Sequence, residues 1–395
     1  MNYMFSGIKV LIVSVVLGTT FIGCGSSADN KTKNADQRDT IKIQDTISID
    51  SNLTRMSQLM AGLDTVLAYP HQQWNIDSVK RFSRETAMKY SKMREARLSK
   101  IHDWNQLNLK NAKVPDTSFA FYPFSGGDFI HLHWLLPQAN NYLMVAREDV
   151  GSIPDLTKMN NAELLKYLQG IDVVLRDIYN KSYFITLNMI TDIRNANLVN
   201  GMMPIIVWAA AKTNHEIVSM NYFDIDSTGL TVPKTDFKSD GVRIMLKDKA
   251  TKQLKSLTYL SADISDDGFK AKPGVLKYLS AHVPNHSNSF VKSASYLLHY
   301  YTFSSIRNLI LDKSASLVQD DTGIPFKYFD SKTWNVNLFG EYEKPVSDFS
   351  ENLFQNDLNA AYSDSSIYKG KLNFSLGYHW GSGNQNQMFS YKKKN

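Results

Sequence analysis

The stretch Phe119–Asp155, FAFYPFSGGDFIHLHWLLPQANNYLMVAREDVGSIPD, constrains the fold more than any other part of the chain. The apolar run Phe119–Phe124 predicts a buried strand, and Ser125-Gly126-Gly127-Asp128 predicts a turn. Phe129–Leu136 then has the content of a short apolar helix. A second strand, Tyr142–Ala146, ends on the acids Glu148 and Asp149. A strand, glycine turn, helix and strand in that order bury the strands under helices and leave polar groups at the strands' carboxyl ends.

Upstream of this unit the period is helical. Leu53, Met56, Leu59, Met60, Leu63 and Val66 recur at three- and four-residue spacing, followed by Trp74, Val79, Phe82, Met88, Met93, Leu98, Ile101 and Trp104. The interspersed Arg81, Arg84, Lys89, Lys92, Arg94, Arg97 and Lys100 read as the solvated side of these helices. Downstream, helices are predicted over 162–180, 197–212, 273–282 and 303–313. Strands are predicted over 216–224, 242–246, 255–264, 289–298, 317–320 and 334–342, with a further candidate at 372–378. Residues 183–194 fit either period. The runs at 242–246 and 255–264 alternate like a hairpin with one wet face, an antiparallel edge. Together these elements predict an α/β fold: a Rossmann-like mixed sheet flanked by helices, with an N-terminal helical segment and an antiparallel edge.

The N-terminus speaks to address. After Lys9, the run Val10–Ile22 is too short for a permanent span and suits the apolar region of a signal peptide. Gly23 and Cys24, the only cysteine, follow it. A small residue before a Cys at that point resembles the lipobox of bacterial lipoproteins, with Phe21 where that family usually has Leu. The resemblance implies removal of residues 1–23, acylation of Cys24 and attachment to a membrane through the lipid. Residues 24–50 are polar and mostly aperiodic, as in a flexible tether. Residues 51–115 form the helical segment and 116–395 the α/β body. Only Asp29 stands near the Cys, which points the anchored body toward the periplasm of the cell envelope.

The formal charge of +6 falls to +5 without Lys9 (44 − 1 basic against 38 acidic residues), and Lys392, Lys393 and Lys394 supply three of those five. The body is therefore near neutral, which excludes charge-driven nucleic-acid binding, and the lysine tail reads as a solvated end.

Residues able to carry chemistry collect at predicted strand ends. Ser125, Gly126, Gly127 and Asp128 follow the first strand, with His131 on the short helix. His131 and His133 diverge by about 200° on a helix, which argues against a shared metal. Asp263 lies in the oxygen-rich loop Ser261–Gly268, Lys292 in KSASYLLH, and Asp320 and Asp321 in QDDTGIP. No complete serine elbow, S-x-x-K, H-E-x-x-H or phosphate-loop signature is present, so no metal and no cofactor is expected.

The unit from Phe119 is similar to the opening of a class-I methyltransferase domain. That resemblance gives the glycine loop contact with a cofactor and gives Glu148 or Asp149 the ribose hydroxyls, with Ser-Gly-Gly in place of the usual G-x-G. The segments YPFSGGD, KSASYLLH and QDDTGIP resemble a family of uncharacterised exported bacterial proteins, which implies an exported α/β body and no particular activity. Three functions follow as expectations. The first is an envelope binding or assembly protein whose protein or small-molecule partner is undefined. The second is a hydrolase or transferase gathering Ser125, Asp128, Asp320 and Asp321 at the sheet edge. The third is a degenerate methyltransferase-like fold with an open cleft beside Gly126-Gly127.

Overall fold

A computed structural model describes residues 48–63, 74–109, 118–183, 199–293, 295–346, 353–379 and 385–393, all within 47–395. The expected signal peptide, Cys24 and nearly all of the tether lie outside these residues, as does most of 183–194. Helices come first. α1 (Ser51–Met60) begins where the Asp50 carboxylate accepts the N–H groups of Asn52 and Leu53. α2 (Ile76–Met93) is capped in the same way by Asn75. A π turn, Arg94–Leu98, runs on into α3 (Ser99–Asn108). That wider turn changes which side chains face inward. Arg97, expected on the solvated side, is in fact buried, and its guanidinium donates to the carbonyls of Ile178 (3.2 Å) and Asn180 (3.4 Å). These carbonyls belong to the last turn of a later helix, where intrahelical donors run out.

The central unit forms largely as its sequence predicts: β1 (Phe119–Pro123), α4 (Phe129–Leu135) and β2 (Asn141–Ala146). α5 (Asn161–Val174) opens with a reciprocal capping box between Asn160 and Glu163, and α6 (Arg176–Lys181) follows after a break at Leu175. α7 (Met203–Lys212) has Pro204 in its first turn and is buried almost all round. Then come β3 (His215–Ile225), β4 (Thr231–Lys234), β5 (Gly241–Asp248), β6 (Leu254–Ser261), α8 (Asp266–Ala271) and α9 (Pro273–His282). The rest of the described chain supplies β7 (Ser287–Val291), α10 (Ser304–Lys313), β8 (Ser314–Gln319), β9 (Trp334–Gly340), α11 (Asn356–Ser363), β10 (Tyr368–Gly370) and β11 (Asn386–Lys392).

The described strands join one mixed sheet in the order β10-β9-β11-β8-β7-β1-β2-β6-β5-β3-β4. Its middle, β8-β7-β1-β2-β6, is parallel throughout. Alternate residues of each strand feed opposite layers. Ala120, Tyr122, Tyr142 and Met144 pack with α1 to α7, whereas Phe121, Leu143 and Val145 pack with α8 to α11. The fold is therefore a mixed α/β sheet covered by helices on both faces. Among the described residues no helix is long and apolar enough to cross a membrane.

Four expectations need correction. The antiparallel edge forms as expected, but the hairpin β5–β6 is its inner part, because β6 also pairs with β2 and β3 also pairs with β5; the edge strand on that side is β4, mostly exposed and carrying Pro233. The strand predicted over 289–298 stops at Val291, since Ser293 takes a φ of +56° and a 3-10 helix, Ser295–His299, follows. Residues 372–378 form no strand and lead into the short helical turn Gly377–His379. Lys392, expected in a solvated tail, closes a strand instead. β11 is inserted antiparallel between β8 and β9, with Met388 opposite both Gln319 and Leu338. Lys392 Nζ donates to the Asp312 carbonyl (2.6 Å) and sits 5.5 Å from the Trp334 ring centre.

Candidate functional site

In chain order the parallel strands β6-β2-β1-β7-β8 run 3-2-1-4-5, the doubly wound arrangement. From β1 the connections wind one way to β2 and β6, then the other way to β7 and β8. The crevice where they part lies at the carboxyl ends of β1 and β7, the ordinary ligand position in such sheets. A cleft of about 200 Å³ opens there. Phe124, Ser125 and Gly126 line it after β1; Ala146, Arg147 and Glu148 after β2; Ala262, Asp263 and Ile264 after β6. Ser293, Leu297 and Phe303 follow from the β7 side, and Tyr183 from the end of α6.

The turn after β1 owes its shape to backbone conformation. Phe124 and Gly126 both adopt left-handed φ (+60° and +53°), and the Ser125 N–H donates to the Val145 carbonyl at 3.0 Å. Gly127 serves packing, because a Cβ there would stand 3.1 Å from Ile205 Cγ2 on α7. Non-glycine residues resist positive φ. Five do so among the described residues; two of them, Phe124 and Ser293, line this cleft, and a third, Ser182, directly precedes the lining residue Tyr183. Strain is concentrated where the sheet opens.

Of the two acids after β2, Glu148 is the one on the cleft wall, and it is buried. Its carbonyl accepts the Tyr259 hydroxyl (2.7 Å), which fixes the backbone beside the cleft. Asp149 is exposed, and its carbonyl accepts the Met202 N–H. Asp263 is at the rim, accepting the Ser265 N–H (2.9 Å) and meeting Arg147 at 3.5 Å. The cap of α8 is Ser265, whose hydroxyl accepts the Gly268 N–H.

Asp128, His131 and Lys292 come together outside the cleft wall, as a buried charged cluster. Asp128 caps α4, accepting the His131 N–H (3.2 Å) and facing His131 Nδ1 at 2.8 Å. Lys292 Nζ donates to Asp128 Oδ2 and to the Ser182 carbonyl, and the Tyr122 hydroxyl reaches the same carboxylate (3.3 Å). Burial alone would raise the Asp128 pKa, but the His131 and Lys292 side chains outweigh it and hold the carboxyl below its ordinary range. Burial pushes His131 down to about 4, so the ring is neutral at physiological pH. Lys292 thus ties β7 to α4 and to Ser182, the residue that turns Tyr183 to the cleft.

Asp320 and Asp321 are buried at the carboxyl end of β8 and meet His379 rather than Ser125. The expected gathering of Ser125, Asp128, Asp320 and Asp321 in one open pocket therefore does not occur. The Ser125 hydroxyl donates to the carbonyls of Gly126 (2.9 Å) and Val145 (3.3 Å), and His131 is turned to Asp128. A serine without a base, committed to backbone, is a poor nucleophile. Sequence reasoning missed Phe124, Tyr183, Leu297 and Phe303 as cleft residues, along with Arg97 and His379. For Phe124 and Ser293 the clue was positional, each falling just past a strand end.

No protein-family model matches the chain, and no curated protein matches it.

Proposed function

We propose that the body binds a small, nucleoside-like ligand in the cleft beyond β1 and β7, and that it does so as a lipoprotein held to the cell envelope through Cys24. The observation that carries this reading is Glu148, a buried acid on the wall of a cleft at the point where the sheet's connections diverge. Phe124, Tyr183, Leu297 and Phe303 offer faces for a flat ring, and Glu148 offers an acceptor for a pair of adjacent hydroxyls. At about 200 Å³ the cleft is smaller than sites for drug-sized ligands, roughly 300–1,000 Å³, so it suits one nucleoside rather than a dinucleotide. The opening unit resembles that of class-I methyltransferase domains, and beyond β8 the sheet continues through β11, antiparallel to both β8 and β9. Likeness of fold supports a ligand position and carries no reaction.

Calorimetric titration of the purified chain with adenosine and with uridine tests the reading, with 2′-deoxyadenosine as the probe of the hydroxyl pair. Binding of a ribonucleoside should weaken at least about tenfold in Glu148→Gln, the scale of one lost charge-assisted hydrogen bond. Ala262→Phe, which fills the cleft, should abolish it. Absence of binding at millimolar nucleoside, or affinity indifferent to both substitutions, would sink the idea.

A further inference from the structure

A second group of side chains at the same edge of the sheet is built differently. Asp320 and Asp321 follow β8, and His379 arrives on the turn Gly377–His379. One ligand-type atom from each lies within 4.8 Å of the other two, and all three side chains are shut off from solvent. Asp321 accepts from Asn386 Nδ2 (3.1 Å) and the Tyr296 hydroxyl (3.1 Å), and it faces His379 Nε2 at 2.5 Å. Asp320 Oδ1 accepts the N–H (2.9 Å) and the hydroxyl of Thr322. Among the described residues Asp320 Oδ2 meets no hydrogen-bond partner, and neither does the Ser293 hydroxyl, on a residue only 5% exposed. These two atoms converge: a Cβ placed on Gly377 would lie 2.9 Å from the first and 3.0 Å from the second. Beside Asp320 and Asp321 there is also a cavity of about 10 Å³, room for a single small occupant.

Two adjacent buried carboxylates require compensation, and the nearby Lys292 is already paired with Asp128. We propose that Asp320, Asp321 and His379 bind a divalent transition cation, Zn²⁺ or Mn²⁺. Two carboxylates balance the ion's charge. The imidazole nitrogen favours a transition metal over Mg²⁺ or Ca²⁺, which take oxygen ligands. Asn386 and Tyr296 then act as the outer hydrogen bonds that hold Asp321 in its ligating orientation. Ser293 lines the cleft as well as facing Asp320, so the cation stands directly behind the cleft wall. The assignment stands whatever the cleft itself binds.

The experiment uses the full-length chain, treated with chelator and titrated by calorimetry with Zn²⁺ and with Mn²⁺. One of the two ions should bind at one per chain and raise the thermal midpoint, because it binds the folded state alone. Asp320→Asn and His379→Gln should each weaken that site by about 100-fold or more, since even outer-shell changes cost about 10–100-fold. Asp267→Asn, on an exposed carboxylate, should leave it unchanged and serves as the control for surface chelation. Asp320→Asn keeps the side chain's shape and removes a buried charge, so it separates loss of metal from loss of fold, which circular dichroism checks. Failure of both ions to bind at one per chain overturns the proposal. So does a site that survives both substitutions; the three side chains are then a hydrogen-bonded group completed by water.

Discussion

Lys292 is the residue on which most of the edge depends. It joins β7 to the cap of α4 through Asp128 and to the carbonyl of Ser182, with both charges buried. Removing one partner of such a pair leaves the other buried and uncompensated, which costs about 3–5 kcal/mol. Lys292→Met should therefore lower the unfolding free energy in urea by that amount, and Asp128→Asn added to it should restore part of the loss. No recovery in the double variant would mean that the hydrogen bond to Ser182 carries the effect instead. At this scale the sequence was readable where a residue type sits at a strand end, as with Ser125, Gly126, Glu148 and Asp263. It was not readable for Arg97 or His379. Arg97 looked like its solvated neighbours until a π turn rotated it inward, and His379 belongs to no local pattern because its partners lie 58 and 59 positions away in sequence.

Among the elements, strands that are apolar and locally connected announced themselves: β1, β2, β3, β5 and β6 were all visible as runs. β11 was not. Its sequence, NQMFSYK, is half polar, and it is a strand because β9 pairs with it along its whole length and β8 pairs with Met388–Tyr391. Pairing partners distant in sequence override local composition here. The fully buried Ser390 and Gln387 show how little polarity disclosed about position. Deleting residues 386–395 should consequently do far more than trim a charged tail. It removes the neighbour of two strands and the Phe389 side chain that packs beside Trp104, at a ring separation of 6.4 Å. The expected outcome is loss of the cooperative thermal transition and insoluble protein; a truncated chain that melts cooperatively near the parent's midpoint would show β11 to be dispensable.

For the molecule as a whole, the two helical layers enclose several titratable rings. Burial lowers His131 and His215 to about 4, and it drives His133 well below the ordinary value, with His215 adding to the effect. Each imidazole is thus harder to protonate folded than unfolded, where its pKa is about 6.5. Between pH about 6.5 and about 4 the unfolded chain holds more protons, so stability falls as the pH drops through that window. The slope is at most about 1.4 kcal/mol per pH unit for each ring. Urea midpoints at pH 7.5, 6 and 5 should decline in that order, with little change above pH 7.5; a flat profile would show these rings to be protonated in the folded state. The mixed α/β class was legible from alternation alone, and the layer that each helix joins was not, since that is settled by the order of strands in the sheet.

That order also bears on how the protein is made. The slot between β8 and β9 is filled by residues that emerge from the ribosome roughly fifty positions after β9 itself. Until then the nascent chain carries two open ladders side by side, ready to accept any extended segment of the same hand. A product cut short by a frameshift or a stalled message would keep them open permanently. Such fragments are natural seeds for co-aggregation and ready prey for proteases, so that filling the slot acts as a proofreading step at the end of synthesis.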